Sequence, residues 1–320
     1  MSDIKLFTLD QGKATELSGQ SARLEKHLQQ DVERNMSALL GVSCLASEYS
    51  TGKTHRGRID SLGIDENNCP VIIEYKRHSN ENVINQGLFY LDWLLDHQAE
   101  FRWLVMETLD KKIAEAIEWN GTRLICIAAD FNRYDEHAVQ QINRNIELMR
   151  YRYFGDNLLL LELVNAQTAQ INQGAQTSKT DSTASQIDTP ITENKITTRG
   201  DKSQQERLAE APPELLELYN NLCDYIESLG DEVQRKELKL YTAFKRIRNF
   251  ASVLVLSGRD PRLQLYLKLP GEMAEEKDDK WMRNMSNTGH WGTGDLEVNV
   301  RTPEELEEAK QLVAKAYGES

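Results

Sequence analysis

Cysteine is scarce in this chain, and its few copies are not grouped. The four cysteines in 320 residues lie far apart, and none of them belongs to a Cys-x-x-Cys pair. This spacing argues against both a disulfide framework and a zinc site. Reduced structural thiols in a cytosol fit the pattern, so we expect a cytoplasmic protein.

Long apolar runs are absent as well. No run of about 18 apolar residues occurs in the sequence, which argues against a transmembrane helix. The first residues lack a basic start followed by an apolar run, so we expect no secretory signal and no membrane association. A composition with 39% hydrophobic and 28% charged residues is typical of a globular protein with a charged surface.

Basic residues are outnumbered by acidic ones. The formal net charge is −13, from 38 Lys and Arg against 51 Asp and Glu. This balance argues against a uniformly positive surface, although a local basic strip is enough to bind nucleic acid. One basic cluster comprises Lys53, His55, Arg56, Arg58, Lys76, Arg77 and His78. Taken alone, this cluster is more typical of a solvated strand edge.

A change in composition divides the chain. Residues 166–210 are rich in Gln, Thr, Ser, Asn and Asp and have few large apolar side chains. Such a segment cannot bury enough surface to offset the entropy lost on ordering. We therefore predict a flexible linker between an N-terminal domain of residues 1–165 and a C-terminal domain of residues 211–320. The length of the chain also suits two domains.

The N-terminal domain alternates between helical and strand-like patterns. The periodicity predicts, in order, a helix at 21–40 that Ser21 can cap, strands at 43–50, 56–64 and 71–77, helices at 80–97 and 107–119, a strand at 123–129, a helix at 135–150 and a strand at 157–164. This order predicts an α/β fold in which helices flank a mixed sheet.

The C-terminal domain has a different pattern. We predict a helix at 213–229, a segment at 235–246 that is either strand or helix, strands at 251–259, 262–269 and 294–300, and a last helix after Thr302. Thr302, followed by Pro and by Glu305 at the third helical position, is a capping-box signal. This region is predicted to be a small α+β domain.

The segment GRIDSLGIDENNCPVIIEYK at residues 57–76 carries the candidate chemistry. A hairpin that turns near Asn67 would place Asp60 opposite Glu74, with Cβ atoms about 4.5–5.5 Å apart. Lys76 shares a strand face with Glu74, since side chains alternate along a strand. Two carboxylates at that spacing can share one Mg²⁺, whereas without a cation they would repel each other.

The chemistry that suits these three residues is metal-assisted hydrolysis of a phosphodiester. The metal would activate a water molecule, and Lys76 would orient that water or stabilise the transition state. An ordinary cross-strand ion network is the alternative, and the spacing alone does not decide between the two. The apolar run before Glu74 favours function, because a charge at the end of a buried strand needs a reason.

Three further residues are candidates for the same site. Gln86 and Tyr90 are four residues apart, so they lie above one another on one helix face. The Gln would bind phosphate or base, or the two would be an incidental polar pair. Glu25 lies between apolar Leu24 and Leu28, where it would either support the metal or form a surface ion pair.

This set of residues resembles the PD-(D/E)XK nuclease superfamily, especially its NucS-like and RecB-like branch. The likeness covers roughly residues 21–95, and its pieces occur in the family's order: Glu25 in the first helix, Gly-Arg-Ile-Asp ending at Asp60, Glu-Tyr-Lys at Glu74 to Lys76, and Gln-x-x-x-Tyr at Gln86 to Tyr90. Ile59 precedes Asp60, where the family name has proline.

The resemblance implies a restriction-endonuclease-like fold and a nuclease that uses Mg²⁺ or Mn²⁺, with DNA as the expected substrate. It implies roles for six residues: metal binding by Asp60 and Glu74, catalysis by Lys76, support by Glu25, and completion of the site by Gln86 and Tyr90. Nucleic-acid contacts are expected from Lys53, Arg56, Arg58 and Arg77. A homodimer, and a role in DNA repair or phage defence, would suit this family.

The C-terminal domain resembles the module called DUF5655, on KLYTAFKRIRNF at 239–250 and NTGHWGTGDLEV at 287–298. One hypothesis is that a glycine-rich loop and the basic segment together bind a phosphate or base, with Trp291 stacking. Its candidate residues are His290, Trp291, Tyr241, Lys245, Arg246 and Arg248. The alternative, which we favour, is a packed turn beside a basic surface helix.

Three functions therefore remain open for the whole chain. The leading one is a metal-dependent nuclease whose C-terminal domain selects a substrate or partner. The second is an inactive nucleic-acid-binding or regulatory protein that keeps the nuclease fold. The third is an assembly factor that binds a protein partner through the C-terminal domain, which carries 15 basic against 20 acidic residues over 211–320.

Overall fold

A computed structural model describes residues 4–77, 83–155, 157–167, 202–274, 280–286 and 292–320. The first part of the chain contains these elements in order: β1 (Leu6–Asp10), β2 (Lys13–Leu17), β3 (Gly19–Gln20), α1 (Glu25–Arg34), α2 (Met36–Leu40), β4 (Val42–Ser50), α3 (Gly52–His55), β5 (Arg58–Asp65), β6 (Pro70–Lys76), α4 (Val83–Asp96), α5 (Gln98–Thr108), α6 (Lys111–Glu115), β7 (Arg123–Ala128), α7 (Arg133–Gln140), β8 (Asn145–Phe154) and β9 (Leu158–Gln167). Strands β1 and β2 pair only with each other, as a separate hairpin.

The other seven strands form one mixed sheet. The strand order is β3-β8-β7-β6-β5-β4, and β9 pairs with β8. Strands β4, β5 and β6 run antiparallel to their neighbours in that group, whereas β6, β7 and β8 pair in parallel. The predicted mixed sheet with flanking helices is therefore confirmed.

The two faces of this sheet bury separate apolar clusters. One face packs against α4 and α5, and the other packs against α1 and α2. Strand β6 contributes to both clusters: Ile72 lies in the first, whereas Val71 and Ile73 lie in the second. Because both faces are covered, the strand needs no alternation of apolar and polar residues.

The structure corrects several predicted boundaries in this region. The helix at 21–40 is two helices, and its N-cap is Leu24 rather than Ser21. The predicted helix at 107–119 is replaced by α5 and α6. The predicted helix at 135–150 ends at Gln140, and β8 occupies its second half. β8 is buried on both faces, so its side chains show no clear alternation in the sequence.

The second part of the chain contains α8 (Gln204–Ala209), α9 (Pro213–Glu227), β10 (Gln234–Glu237), β11 (Thr242–Lys245), β12 (Asn249–Leu256), β13 (Arg262–Leu267), β14 (Met282–Asn284), β15 (Leu296–Val300) and α10 (Pro303–Glu319). Its six strands form an antiparallel sheet in the order β10-β11-β12-β13-β15-β14. Residues of α9 and α10 join one apolar cluster with this sheet. The predicted small α+β architecture is confirmed.

Two local predictions for this region have clear outcomes. The capping box at Thr302 is present, with Glu305 as its partner. The segment at 235–246 consists of two strands, so the interpretation of its basic residues as a surface helix is wrong. The short turn between β10 and β11 divides the segment into pieces too short for a strong periodic signal.

The ends of the predicted linker at 166–210 are ordered. Strand β9 extends to Gln167, and α8 begins after Ser203, which forms a capping box with Glu206. Residues 168–201 lie outside the described part of the chain. The division into domains at residues 165 and 211 stays a prediction.

The structure describes the environment of each cysteine and the character of the helices. All four cysteines are free thiols; Cys44 is half-buried, and the other three are buried. Among the residues that the structure describes, no helix has both the length and the apolar character to span a membrane.

Candidate functional site

The β5–β6 hairpin has the register that the sequence predicts. Ser61 pairs with Ile73 and Ile64 pairs with Pro70, in an antiparallel arrangement. Continuing this register by one residue brings Asp60 opposite Glu74. Both side chains therefore arise at the open end of the hairpin, away from its turn.

Side-chain bonds replace backbone pairing at this open end. Asp60 Oδ2 accepts a hydrogen bond from the backbone N–H of Tyr75 at 3.0 Å. The backbone N–H of Asp60 donates to Glu74 Oε1 at 3.3 Å. Gln29 of α1 donates from Nε2 to the carbonyl oxygen of Asp60 at 2.8 Å. These contacts hold the two carboxyl groups beside each other, as predicted.

Glu74 is the most unusual residue of the site. Its side chain is fully buried, and no hydrogen-bond partner is described for its buried Oε2. Burial, followed by the negative charge of Asp60, raises the pKa of Glu74 to about 9. A nearby cation would stabilise the charged form of this carboxyl group and so lower its pKa.

Asp60 shares this environment to a smaller degree. Burial raises the pKa of Asp60, and the charges of Glu25 and Glu48 act in the same direction. The hydrogen bond from Tyr75 and the charge of Lys76 oppose the rise. The poorly solvated position of the pair therefore disfavours two negative charges at once, unless a cation is bound beside them.

Lys76 and Glu25 form an ion pair at the edge of the site. Lys76 Nζ lies 3.2 Å from Glu25 Oε1, and Glu25 Oε2 accepts a hydrogen bond from the backbone N–H of Arg77 at 3.2 Å. Burial lowers the pKa of Lys76, but the charges of Glu25, Asp60 and Glu74 outweigh that effect, so the pKa is raised. Lys76 consequently keeps its positive charge beside the two carboxyl groups.

Tyr90 contacts the start of β5 rather than the carboxyl groups directly. Its hydroxyl oxygen accepts a hydrogen bond from the backbone N–H of Arg58 at 3.2 Å. Gly57 lies against the ring, where a Cβ would approach a ring carbon to 2.4 Å. Gln86 is half-buried one turn earlier on the same helix. The helix thus supports the strand that carries Asp60.

The predicted nucleic-acid contacts lie on exposed surface near this end of the hairpin. Lys53, Arg56, Arg58 and Arg77 are all exposed. Arg58 forms an ion pair with Glu48, which compensates part of its charge. Arg56 donates from Nε to the carbonyl oxygen of Lys53 at 3.2 Å. His78 lies outside the described residues.

A polar network behind the site was not predicted. Ser61 donates to Glu33 Oε1 at 2.6 Å and lies 3.1 Å from the hydroxyl oxygen of Tyr75. Gln29 also donates to Glu33 Oε1, at 3.0 Å. The sequence held a signal for this network, since Glu25, Gln29 and Glu33 are spaced by four and share one helix face.

Asp60 and Glu74 suit a metal ion that takes few of its ligands from the protein. Within the described ranges, no group of three or more His, Cys, Asp and Glu side chains is arranged to hold a metal. Mg²⁺, however, commonly uses one or two carboxylates and keeps several waters. Asp60 and Glu74, whose Oε2 has no partner among the described residues, provide that donor set.

The predicted C-terminal site is not assembled as an open pocket. Tyr241 and Lys245 are buried, and both bond to the first part of the chain: Tyr241 to Asn67 at 2.9 Å and Lys245 to Glu147 at 2.5 Å. Both side chains are therefore engaged inside the structure, and their role in binding a phosphate or base stays a prediction. Arg248 is half-buried beside them, and His290 and Trp291 lie outside the described residues.

Comparisons with known proteins identify the C-terminal part of the chain. Residues 205–320 match the family described as "Domain of unknown function (DUF5655)", which confirms the predicted C-terminal module. An "Uncharacterized protein" of Haemophilus influenzae is 30% identical over 319 residues, covering 98% of this chain and 99% of that protein. The chain belongs to the same family as this protein.

A solved structure shows a much weaker likeness. The crystal structure of a repair endonuclease from Pyrococcus abyssi is 16% identical, with a TM-score of 0.28. The match covers 42% of this chain and about half of the endonuclease, 49%. A likeness this slight carries no conclusion about the activity of this family member.

Proposed function

We propose that this protein is a Mg²⁺- or Mn²⁺-dependent nuclease that hydrolyses phosphodiester bonds in DNA. The observation that carries this proposal is the Glu74 carboxyl group, which is fully buried next to Asp60 and has an oxygen without a described partner. A bound ion is one explanation for a buried polar atom without a described partner. Strongly perturbed carboxyl groups also cluster at functional sites.

Asp60 and Glu74 would hold the metal ion. When bound, the metal would supply an activated water and neutralise charge on the phosphate. The contact between Asp60 and the N–H of Tyr75 fixes the first carboxyl group, while burial fixes the second. Their orientation is thus set before substrate arrives, which lowers the cost of assembling the site.

Lys76 would stabilise the negative charge that develops on the phosphate. It stays protonated, and it lies on the same strand as Glu74, two residues further along. Glu25 holds the ammonium group at 3.2 Å, so its position is restricted. A fixed positive charge in a partly buried place stabilises a transition state more than a mobile, hydrated one.

The exposed basic residues near the hairpin would bind the DNA backbone. Lys53, Arg56 and Arg77 have exposed side chains in this region. Contacts of this kind neutralise phosphates and make affinity fall with salt. Because the protein has a net charge of −13, DNA would bind at such a local strip of basic residues and not elsewhere on the surface.

The second candidate function is a binding or regulatory protein without turnover. One observation favours it: Lys76 is already paired with Glu25 at 3.2 Å. In that case the protein would bind DNA, with the protonated Glu74 as a neutral buried group.

Turnover distinguishes the two functions. Single-stranded, duplex and branched DNA are incubated with Mg²⁺ or Mn²⁺ and with wild type, Asp60→Ala or Lys76→Ala. Matched controls are Asp231→Ala and Lys315→Ala, which alter exposed residues of the C-terminal region. We expect cleavage by wild type and both controls, and a loss of about 10²–10³-fold for the two site variants.

Two results would contradict the proposal. Equal cleavage by all five proteins would come from a contaminating nuclease. Binding without cleavage under every metal condition would favour the second function.

A further inference from the structure

The turn of the β5–β6 hairpin is enclosed by the C-terminal region. Asp65 ends β5, and its Oδ1 accepts hydrogen bonds from the backbone N–H groups of Asn67 at 2.8 Å and Cys69 at 2.9 Å. An Asp side chain that bonds to the backbone two residues ahead stabilises a tight turn. The turn is therefore a defined shape that a second surface can recognise.

Two asparagines join this turn to the C-terminal sheet. Asn249 Nδ2 donates to Asn67 Oδ1 at 2.6 Å, and Asn67 Nδ2 donates to Asn249 Oδ1 at 3.3 Å. The backbone N–H of Asn249 donates to Glu66 Oε2 at 3.2 Å. Both amides are buried, so removing either one takes a hydrogen-bond partner from the other. Asn67 Oδ1 would keep the hydroxyl group of Tyr241, and Asn249 Nδ2 would keep Thr293.

A buried group of charges spans the same interface. Glu147 Oε1 lies 2.8 Å from Arg123 Nη1 and 2.5 Å from Lys245 Nζ, and Arg123 Nε lies 3.4 Å from Asp65 Oδ2. The four side chains are only 3–4% exposed. The charges of the two acids and the two bases cancel within this group. Replacing one of the four would leave an uncompensated buried charge, which is strongly destabilising.

Apolar contacts complete the interface. Cys69, at the end of the turn, lies in one cluster with C-terminal residues, and these are Leu238, Tyr241, Ala243, Leu254, Tyr266 and Met285. Lys236 Nζ donates to the carbonyl oxygen of Gly121 at 2.9 Å. The turn is thus held by hydrogen bonds, charges and packing together.

These contacts lie at one end of the strands whose other end carries the candidate site. Arg123 pairs with Val71 near the turn, whereas Glu74 lies three residues further along β6. Asp60 lies five residues from Asp65 along β5, which is about 16 Å at about 3.3 Å per residue. A displacement of the turn is carried to the carboxyl groups, because the same two strands connect them.

We infer that the C-terminal region positions the candidate site, with Asn249 and Lys245 as the positioning residues. Neither residue touches the carboxyl groups; each holds the hairpin from its turn. The catalytic consequence of this inference rests on the proposed nuclease activity, whereas the structural consequence does not. The C-terminal region is then part of the site's framework rather than a module that only selects substrate.

Amide hydrogen exchange tests the structural consequence in the full chain. The N–H of Tyr75 reports on the site directly, since it donates to Asp60. We expect its exchange rate to rise about 10-fold or more in Lys245→Met. The control Lys315→Met removes an exposed lysine that pairs with Glu319 in the last helix, and it should leave the rate unchanged.

A second variant covers the case in which Lys245→Met does not fold. Asn249→Ala removes one hydrogen-bonded side chain without leaving a buried charge, and exchange at Tyr75 should rise in the same direction. Unchanged exchange at Tyr75 in a folded Lys245→Met or Asn249→Ala protein would overturn the inference.

Charge balance gives an independent test of the role of Lys245. Glu147→Gln combined with Lys245→Met restores a neutral buried group around Arg123 and Asp65. The double variant should unfold at a higher temperature than Lys245→Met alone, by roughly 5 °C. The single variant Glu147→Gln is measured as well. If the change in unfolding temperature of the double variant equals the sum of the changes in the two single variants, Lys245 and Glu147 do not act as a pair. That result would contradict the assignment of Lys245 as a positioning residue.

Kinetics test the catalytic consequence below the temperature at which the variants begin to unfold. Lys245→Met should lower kcat about 10-fold while KM changes little, because a displaced carboxyl pair affects the reacting geometry more than DNA binding. An unchanged kcat would overturn the catalytic consequence. If wild type does not cleave DNA, the proposed function fails, and the exchange rate at Tyr75 still decides the structural consequence.

Discussion

The two ends of the β5–β6 hairpin differ in the charges that surround a buried carboxyl group. Near the turn, Glu147 Oε1 contacts two cationic side chains, Arg123 and Lys245. At the open end, Glu74 is buried beside a second carboxyl group, that of Asp60, and its pKa is raised to about 9. Neither Glu74 Oε2 nor Glu147 Oε2 has a described partner, so it is the pairing of two acids that sets the open end apart as the place where function is expected.

Because of this difference, similar substitutions at the two ends should change the stability of the protein in opposite directions. Removal of a carboxyl group at the turn should destabilise the protein, whereas neutralising one at the open end should stabilise it.

Glu147→Ala should have the largest effect on stability. It leaves Lys245 without its described carboxylate partner and leaves Arg123 with only Asp65, so the free energy of unfolding should fall by about 3–5 kcal/mol. Chemical denaturation measures this change. Glu115→Ala is the control, since Glu115 forms an exposed helical pair with Lys111 that contributes about 0.5 kcal/mol or less. Equal effects of the two variants would remove the contrast between buried and exposed pairs.

Glu74→Gln should stabilise the metal-free protein at neutral and alkaline pH. The ordinary pKa of a glutamate is 4.5, and that of Glu74 in the fold is about 9. The folded state therefore holds the proton more tightly, so its stability is full below about pH 4.5 and falls as the pH rises toward 9. At pH 8 the variant should be more stable than wild type by about 1–3 kcal/mol.

Unfolding curves at several pH values, with a chelator present, measure this difference. Exposed Glu107→Gln is the control and should retain the pH dependence of wild type. Added Mg²⁺ should reduce the pH dependence of wild type, because a cation favours the charged carboxyl group. A Glu74→Gln protein with the same pH dependence as wild type would contradict the assignment of the raised pKa.

Tyr90→Phe should have the smallest effect. It removes the hydroxyl oxygen that accepts from the N–H of Arg58 but keeps the ring that packs against Gly57. The expected cost is about 0.5–1.5 kcal/mol of unfolding free energy. If Tyr90 instead took part in the chemistry, activity would fall far more than stability, which parallel kinetic and denaturation measurements would reveal.

Local patterns were enough to predict the hairpin. The turn residues around Asn67 and the apolar run before Glu74 fix where the chain reverses, and the reversal fixes the register. The pairing of Ser61 with Ile73 follows from that register. The neighbouring positions of Asp60 and Glu74 were therefore predictable without any knowledge of the rest of the fold.

Other features depend on contacts that are distant in sequence. The second half of the predicted helix at 135–150 forms β8 because β7 and β9 supply partners on both of its sides. Tyr241 and Lys245 resemble exposed binding residues in the sequence, but Asn67 and Glu147 bury them. No local pattern indicates a partner that lies 98 or 174 residues away.

The sequence by itself determined the β5–β6 hairpin, its register and the group of Asp60, Glu74 and Lys76, because each of these depends on neighbours within about twenty residues. The tertiary structure alone decided that Glu74 is buried without a described partner for Oε2, that Glu25 holds Lys76, and that the C-terminal region encloses the hairpin turn. Burial and charge pairing are properties of the assembled interior, and only the folded chain brings their partners together.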